Sequence, residues 1–242
     1  MGKAAGARRW VIVISAVASV VALVACGGGG GGAPPDTIAP AVADQLTADA
    51  SVLQAGDLPG SFQSSSSSSA SSSSDDHGEG SVAVDQCFAS ATDQKLTSAS
   101  RTGRASRTFV RGAGLDAFAV AAEVDVFHDD AGLREFIAAF GQPSVTNCLR
   151  RAFVDSFSAL GGTVGELTVV PSKVEGVGDD QAGFVVSGGL SVNGAVIAFS
   201  GEFDFTRVGR VALTLSLLSL NSAPDHNIAV SAMKAMVRRL PT

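Results

Sequence analysis

The sequence predicts an α+β domain in which an antiparallel sheet of about five strands is covered on one face by about three amphipathic helices. Several segments between residues 118 and 217 alternate apolar with polar or small residues, as strands with one buried face do. Other segments carry apolar residues at the spacing of a single helical stripe. Such a sheet and such helices bury their apolar faces against each other. The second sheet face is small or polar, so we expect it to face water.

One strand and two helices come first. Residues 118–126 alternate as a half-buried strand, and Asp129 is placed to cap the helix that follows. Gly141 and Pro143 end this helix, and a second one begins near Ser144. The apolar stripe of the first helix is Leu133, Phe136, Ile137 and Phe140. The stripe of the second helix is Leu149, Ala152, Phe153, Phe157 and Leu160.

Four further strands and a final helix complete the predicted domain. Residues 164–170 form a strand that Pro171 closes, and the turn at 176–182 leads to three strands in succession, the first at about 182–192. Asn193 and Gly194 then form the dipeptide typical of a two-residue hairpin. The last two strands each place large residues on one face: Ile197, Phe199, Phe203 and Phe205, then Val211, Leu213, Leu215 and Leu217. The helix at 224–240 has the stripe Ala229, Met233, Met236, Val237 and Leu240.

The first 25 residues have the order of a secretory signal. Lys3, Arg8 and Arg9 precede an apolar run of sixteen residues that ends at Cys26. Residues 23–26, Leu-Val-Ala-Cys, resemble the lipobox of bacterial lipoproteins, in which the cysteine is lipidated and the signal is cut before it. We therefore expect a signal peptide at 1–25, lipidation of Cys26 and a location on the extracytoplasmic face of the cell membrane. An uncleaved spanning helix or an ordinary signal are the alternatives, although spanning takes roughly 20 residues.

The rest of the chain divides into a tether and one domain. Residues 26–50 are mostly glycine, alanine, proline and small polar residues, which predicts a flexible tether behind the lipidated cysteine. Residues 51–242 are expected to form a single α+β domain. Its serine-rich stretch at 63–80 is predicted to be a surface loop.

Cys87 and Cys148 are the two cysteines beyond Cys26. In an exported protein such a pair usually closes a disulfide, whereas two buried free thiols are the alternative. A closed loop of about 60 residues is worth roughly 4 kcal/mol in the chain-entropy model.

Charge excludes some classes of partner. The net charge is −6 at pH 7, and no basic patch stands out, so we expect no nucleic-acid partner. Docking on anionic lipid by charge is not expected either. Attachment to the membrane is therefore expected to come from acyl chains.

No constellation of residues points to catalysis, to a metal or to a cofactor. Ser231 and Lys234 match the S-x-x-K motif, but the partner motifs S-D-N and K-T-G are missing. The histidines, His77, His128 and His226, have no second ligand at metal-binding spacing and are predicted to face solvent. The aspartate pairs at 129–130 and 179–180 suit caps and turns, because neighbours in one wet turn lack the different environments that acid–base work needs.

Several motifs together resemble a known set of domains. They are the segments at 57–62 (Asp-Leu-Pro-Gly-Ser-Phe), 124–131 and 176–182, with Cys87 and the Cys148-Leu149 pair between them. In this order they resemble the motifs of a set of actinobacterial lipoproteins that are similar to the extracellular sensor domain of PknH-type serine/threonine kinases. The likeness to LpqN-type Mog1/PsbP-like lipoproteins is more distant. The resemblance implies a non-catalytic extracellular domain with a cleft between helices and sheet that receives a small ligand.

Three functions follow as hypotheses. The first is a membrane-anchored, non-catalytic ligand-binding or sensor-like module that takes a small molecule or an envelope component. The second is a lipid or lipoglycan carrier resembling the LppX/LprG type. The third is an envelope scaffold that binds only protein. Large side chains on the predicted strands fill space between the layers, which disfavours a wide lipid cavity.

Overall fold

The computed structural model of the chain describes residues 40–65, 87, 100–159, 163–192 and 195–241. These residues form a seven-stranded antiparallel sheet and four helices, which confirms the α+β class. The strands are β1 (Gln63–Ser64), β2 (Arg101–Arg111), β3 (Phe118–Phe127), β4 (Thr163–Ser172), β5 (Asp180–Val192), β6 (Ala195–Val208) and β7 (Val211–Leu220). The helices are α1 (Pro40–Ser51), α2 (Ala131–Ala139), α3 (Pro143–Ala159) and α4 (His226–Arg238).

The strand order across the sheet is β1-β2-β3-β7-β6-β5-β4. Partners across two strands point to the same face, so the register assigns each side chain to a face. Leu215 of β7 is paired with Asp204, whereas Phe205 is paired with Thr214. The side chains of Leu213, Leu215 and Leu217 on β7 therefore lie on the opposite face from the phenylalanines of β6.

The helices cover both faces of the sheet, each over a different half. On one face α1 and α4 pack against the apolar side chains of β2, β3 and β7. On the other face α2 and α3 pack against those of β4, β5 and β6. The prediction that the helices cover one face, with the other left wet, is wrong. Alternation shows that a strand has an apolar side, but only the register shows which face of the sheet that side joins.

Helix α1 lies within the predicted tether. The prediction is wrong for residues 40–50, which belong to a helix that buries Asp44, Ala48 and Ser51. The buried side chains of α1 are small or polar, while the larger Val42 and Leu46 are exposed, so the sequence carries no apolar stripe. Cys26 and residues 27–39 lie outside the described part of the chain.

Strands β1 and β2 are the other unpredicted elements. The predicted surface loop at 63–80 begins instead as a strand, since Gln63 and Ser64 pair with β2 and the Ser65 amide donates to the Thr108 carbonyl over 2.9 Å. Most of the rest of that loop, residues 66–80, lies outside the described residues. Strand β2 contains four arginines, and two of its three buried residues are Gly103 and Ala105, so the strand does not stand out in the sequence.

The other predicted elements are present with small changes at their ends. Helix α3 begins at Pro143, the first-turn position that proline suits. Strands β5 and β6 remain paired up to Val192 and Ala195, so their two-residue connection falls where the hairpin was predicted. The two turn residues, and the side chain of Phe157 in the predicted stripe of α3, lie outside the described part.

Cys87 and Cys148 are joined, with 2.09 Å between the sulfurs and 5.5 Å between the Cα atoms. The pair fastens α3 to a segment that lies 61 residues earlier. Within the described ranges, no helix has the length and apolar character that crossing a membrane requires.

Candidate functional site

Strand β6 carries a buried row of polar side chains in the middle of the sheet. Ser200, Glu202, Asp204 and Thr206 point to the α4 side, and none is more than 8% exposed. We call these four residues the acidic row. They alternate with Phe199, Phe203 and Phe205, which face α2 and α3. The acidic residues are therefore buried because the opposite side of the same strand supplies the aromatic core.

Asp204 is completely buried, with 0% exposure. Its neighbours across the sheet are Leu215 on β7 and Gly183 on β5. A Cβ atom at position 183 would lie 2.9 Å from Asp204 Oδ1, so the glycine gives the carboxyl group its space. No donor in the described part of the chain gives a hydrogen bond to either oxygen of Asp204 or to Thr206 Oγ1.

Burial, together with the neighbouring Glu202 carboxylate, raises the pKa of Asp204 to about 8. Burial is the larger cause, because the charged form loses its water. The Asp204 carboxyl therefore carries a proton at neutral pH. A protonated carboxyl is a donor, and the adjacent Glu202 carboxylate is the acceptor for it.

Glu202 connects the acidic row to the start of α4. His226 Nδ1 contacts Glu202 Oε1, and the histidine is the first residue of the helix. The helix is also capped by Asp225, whose carboxylate accepts from the Asn227 amide over 2.9 Å. The prediction that His226 faces solvent holds for about half of its side chain, which is 51% exposed. The ring nitrogen Nδ1 contacts the buried Glu202.

The arrangement suits the storage of a proton better than reaction with a substrate. Its two carboxyl groups lie in different environments, as an acid–base pair requires. However, both are buried under the sheet's covering layer, and a catalytic group has to reach its substrate. Among the described residues no three histidine, cysteine, aspartate or glutamate side chains could together hold a metal ion.

A second polar cluster lies on the other face, over β2 and β3. Arg101 Nη1 is 2.9 Å from Asp125 Oδ1, and Arg104 Nη2 is 2.9 Å from both oxygens of Glu123. Burial, followed by the charge of Asp125, raises the pKa of Glu123 well above its usual value. With two arginines facing two acids, this cluster is balanced in formal charge, unlike the acidic row.

Asp129, Asp130 and Asp179 lie in the predicted cap and turn, whereas Asp180 is the first residue of β5. Three of these four aspartates also contact one arginine. Asp129 Oδ1 accepts from the Ala131 amide over 3.2 Å at the start of α2. Arg207 Nε donates to Asp180 over 2.7 Å, and its Nη1 lies 3.2 Å from both Asp130 and Asp179. This arginine therefore ties the start of α2 to the turn before β5.

Beside the acidic row lies a part of the sheet that none of the described helices covers. Thr168, Val170, Val196 and Ala198 are exposed on the same side of the sheet as Glu202, with Val170 50% and Val196 77% exposed. We call these four residues the open half-face. Residues on the opposite side of the same strands, such as Leu167 and Val169, are buried under α3.

Phenylalanine rings fill the contact between the sheet and the two helices α2 and α3. Phe140 and Phe205 have ring centroids 4.5 Å apart, and those of Phe184 and Phe203 are 4.8 Å apart. Phe153 joins them from α3, 5.7 Å from Phe203. The predicted filling of the interlayer space is therefore present on this side.

The remaining sequence-predicted residues are spread over the molecule. Ser231 and Lys234 are exposed on α4, and His128 is exposed after β3. Cys26 and His77 lie outside the described residues. The acidic row was missed because its strand was expected to have a wet side. The available signal was a pair of acids alternating with phenylalanines in a strand flanked by strands on both sides.

Comparisons of the chain with family models, with curated proteins and with solved structures find no match.

Proposed function

We propose that this chain is a lipid-anchored, extracytoplasmic, non-catalytic module that binds a component of the cell envelope through its open half-face. The exposure of Val170 and Val196, on a part of the sheet that none of the described helices covers, is the observation that carries this proposal. Small solutes are usually held in concave pockets. An exposed sheet surface of valine, threonine and alanine side chains suits an extended partner instead.

The proposed extracytoplasmic location is supported by two features of the chain. The order of charge, apolar run and Leu-Val-Ala-Cys at residues 3–26 is that of a lipoprotein signal. The joined pair of Cys87 and Cys148 fits an oxidising compartment, in which disulfides persist.

A sensor-like binding role is favoured over the carrier alternative. A carrier needs space for acyl chains between sheet and helices, whereas rings such as Phe140 and Phe205 meet there at 4.5 Å. A scaffold that binds only protein is the second candidate, since an open sheet surface beside the edge strand β4 also suits a protein partner.

The binding proposal is tested with the full-length protein purified from its own envelope, by native mass spectrometry and by cross-linking in place. Val170→Lys and Val196→Lys place charge on the open half-face, and Val42→Lys is the control because Val42 is a similarly exposed valine on α1. We expect the first two variants to lose the bound component at least tenfold, and the control to keep it. Equal retention by all three proteins contradicts the proposal. A lipid-sized adduct that all three retain supports the carrier.

The anchor is tested by Cys26→Ser. We expect a protein that is uncleaved or shed and that takes up no labelled fatty acid, because the thiol is the proposed acceptor. Cys148→Ser is the control and should still be labelled. Fatty-acid labelling of the Cys26→Ser protein contradicts the anchor without bearing on the binding surface.

A further inference from the structure

We propose that the acidic row is a proton-binding site that holds the start of α4 on the sheet, so that loss of its proton loosens that helix. The proposal is independent of the proposed function. It rests on the position of two adjacent buried acids, Glu202 and Asp204, beneath a helix whose first residue contacts one of them.

The described neighbours of Asp204 on the adjacent strands carry no positive charge that could neutralise a second negative charge. From β7 it faces Leu213, Leu215 and Leu217, and from β5 Gln181, Gly183 and Val185. The turn between β4 and β5 adds Val174 and Val177 to the same apolar cluster. Along β6 its neighbours on this side are Glu202 and Thr206. The titratable or charged groups facing it, among the described residues, are therefore Glu202 itself and, beyond it, His226 at the start of α4.

Arg207, which follows Thr206 on β6, does not neutralise the charge of the two acids. Arg207 pairs with Asp130, Asp179 and Asp180, and the register places it on the other side of the strand from Thr206. Like charges in an apolar site cannot both persist, so the pair has to take up a proton or a cation. A proton fits best, because no three metal-ligand side chains converge among the described residues.

The proton balance of the switch is simple. In the closed state Asp204 carries the proton, its hydroxyl donates to the Glu202 carboxylate, and Glu202 is also held by His226. On opening, the O–H bond of Asp204 breaks and the proton passes to water. Two carboxylates then face each other beneath α4, and hydration of this part of the row relieves their repulsion.

The sign of the pH effect follows from linkage. The pKa of Asp204 is raised from its usual 3.8 to about 8 in the folded chain, so folding takes up a proton. The stabilisation that this proton provides is complete below about pH 3.8 and is lost as the pH rises towards about 8. Over that window the equilibrium between closed and open α4 shifts by up to about tenfold per pH unit.

The test is amide hydrogen exchange of α4 in the full-length protein between about pH 6 and about pH 9, corrected for the intrinsic exchange rate. In the wild type we expect protection of the first turns of α4 to fall by about tenfold per unit until about pH 8. Asp204→Asn should remove that slope. Asp155→Asn, a change at an exposed carboxylate on α3, should retain it.

A second variant keeps the proposal testable if Asp204→Asn does not fold. Glu202→Gln removes the neighbouring charge that raises the Asp204 pKa, so the midpoint of the loss of protection should move to lower pH. A merely structural role for Glu202 would lower protection equally at every pH. Constant wild-type protection across this range overturns the proposal. So does a rise in protection on adding calcium at fixed pH that Asp204→Asn abolishes, since the row would then hold a cation.

Discussion

Gly103 shows how closely α1 approaches the sheet. A Cβ atom at this position would lie 2.8 Å from the Gln45 backbone nitrogen and closer still to the Asp44 carbonyl. The obstacle is helix backbone, which cannot turn aside as a flexible side chain does. Strand β2 therefore needs a residue without a side chain where the helix crosses it.

We predict that Gly103→Ala lowers the free energy of unfolding by about 1–3 kcal/mol, because α1 has to move away from β2. Gly56→Ala is the matched control, since a Cβ atom there would meet no heavy atom within 4 Å. The measurement is chemical denaturation followed by far-ultraviolet circular dichroism. Equal stabilities of the two variants would mean that α1 does not pack on β2 in this way.

Charged residues fix α1 and the end of the chain to the same half of the sheet. Arg210 pairs with Asp44 of α1 and also donates to the Phe127 carbonyl over 2.8 Å. The hydrogen bond from Arg210 is the main reason why the pKa of Asp44 lies below its usual value. Arg239, just after α4, pairs in the same manner with Asp57. Asp57 is the first residue of the segment at 57–62 on which the family resemblance partly rests. In the structure it holds Arg239 at the end of the chain.

At the scale of the elements, the sequence predicts those whose buried side is large and apolar. Helices α2, α3 and α4 and strands β3 to β7 have such sides, and each lies within a few residues of its predicted place. Helix α1 and strand β2 escaped prediction because they meet through Ala48, Gly103 and Ala105, which are small. Burial of small residues leaves little periodic signal.

The candidate site could be predicted only in part, for a related reason. The sequence shows that Glu202 and Asp204 share one side of a strand. It does not show that Leu215 of β7 joins that side, because this depends on the register between two strands. If the pairing of β6 with β7 were shifted by one residue, the two acids would share a face with the other set of β7 side chains, not with Leu215.

At the scale of the whole molecule, the disulfide belongs to one of two separate cores. Cys87 and Cys148 pack with α2, α3 and the phenylalanine side of β6, whereas α1 and α4 share a core on the other face. Among the described residues, the sheet separates the two cores. A covalent link at one of them therefore strengthens the layer that contains α3.

We predict that replacing both Cys87 and Cys148 by serine lowers the free energy of unfolding by roughly 4 kcal/mol, because the unfolded chain regains the freedom of a loop of about 60 residues. Cys26→Ser should leave the stability of the domain unchanged. The measurement is chemical denaturation, with thiol alkylation of the unreduced, denatured wild-type protein as a check. Alkylation of both Cys87 and Cys148 in that sample would contradict the pairing.

The phenylalanine contacts between α2, α3 and the sheet also determine how unfolding can be observed. The chain contains no tyrosine, and its one tryptophan, Trp10, precedes Cys26. The near-ultraviolet dichroism of the described residues therefore comes from phenylalanine and the disulfide, and most of the ring pairs lie in the core that the disulfide shares. That signal reports mainly on one layer, because the Phe62–Phe118 pair is in the other core, while the far-ultraviolet signal reports on both. If the two melt at the same temperature, the layers separate as one cooperative unit.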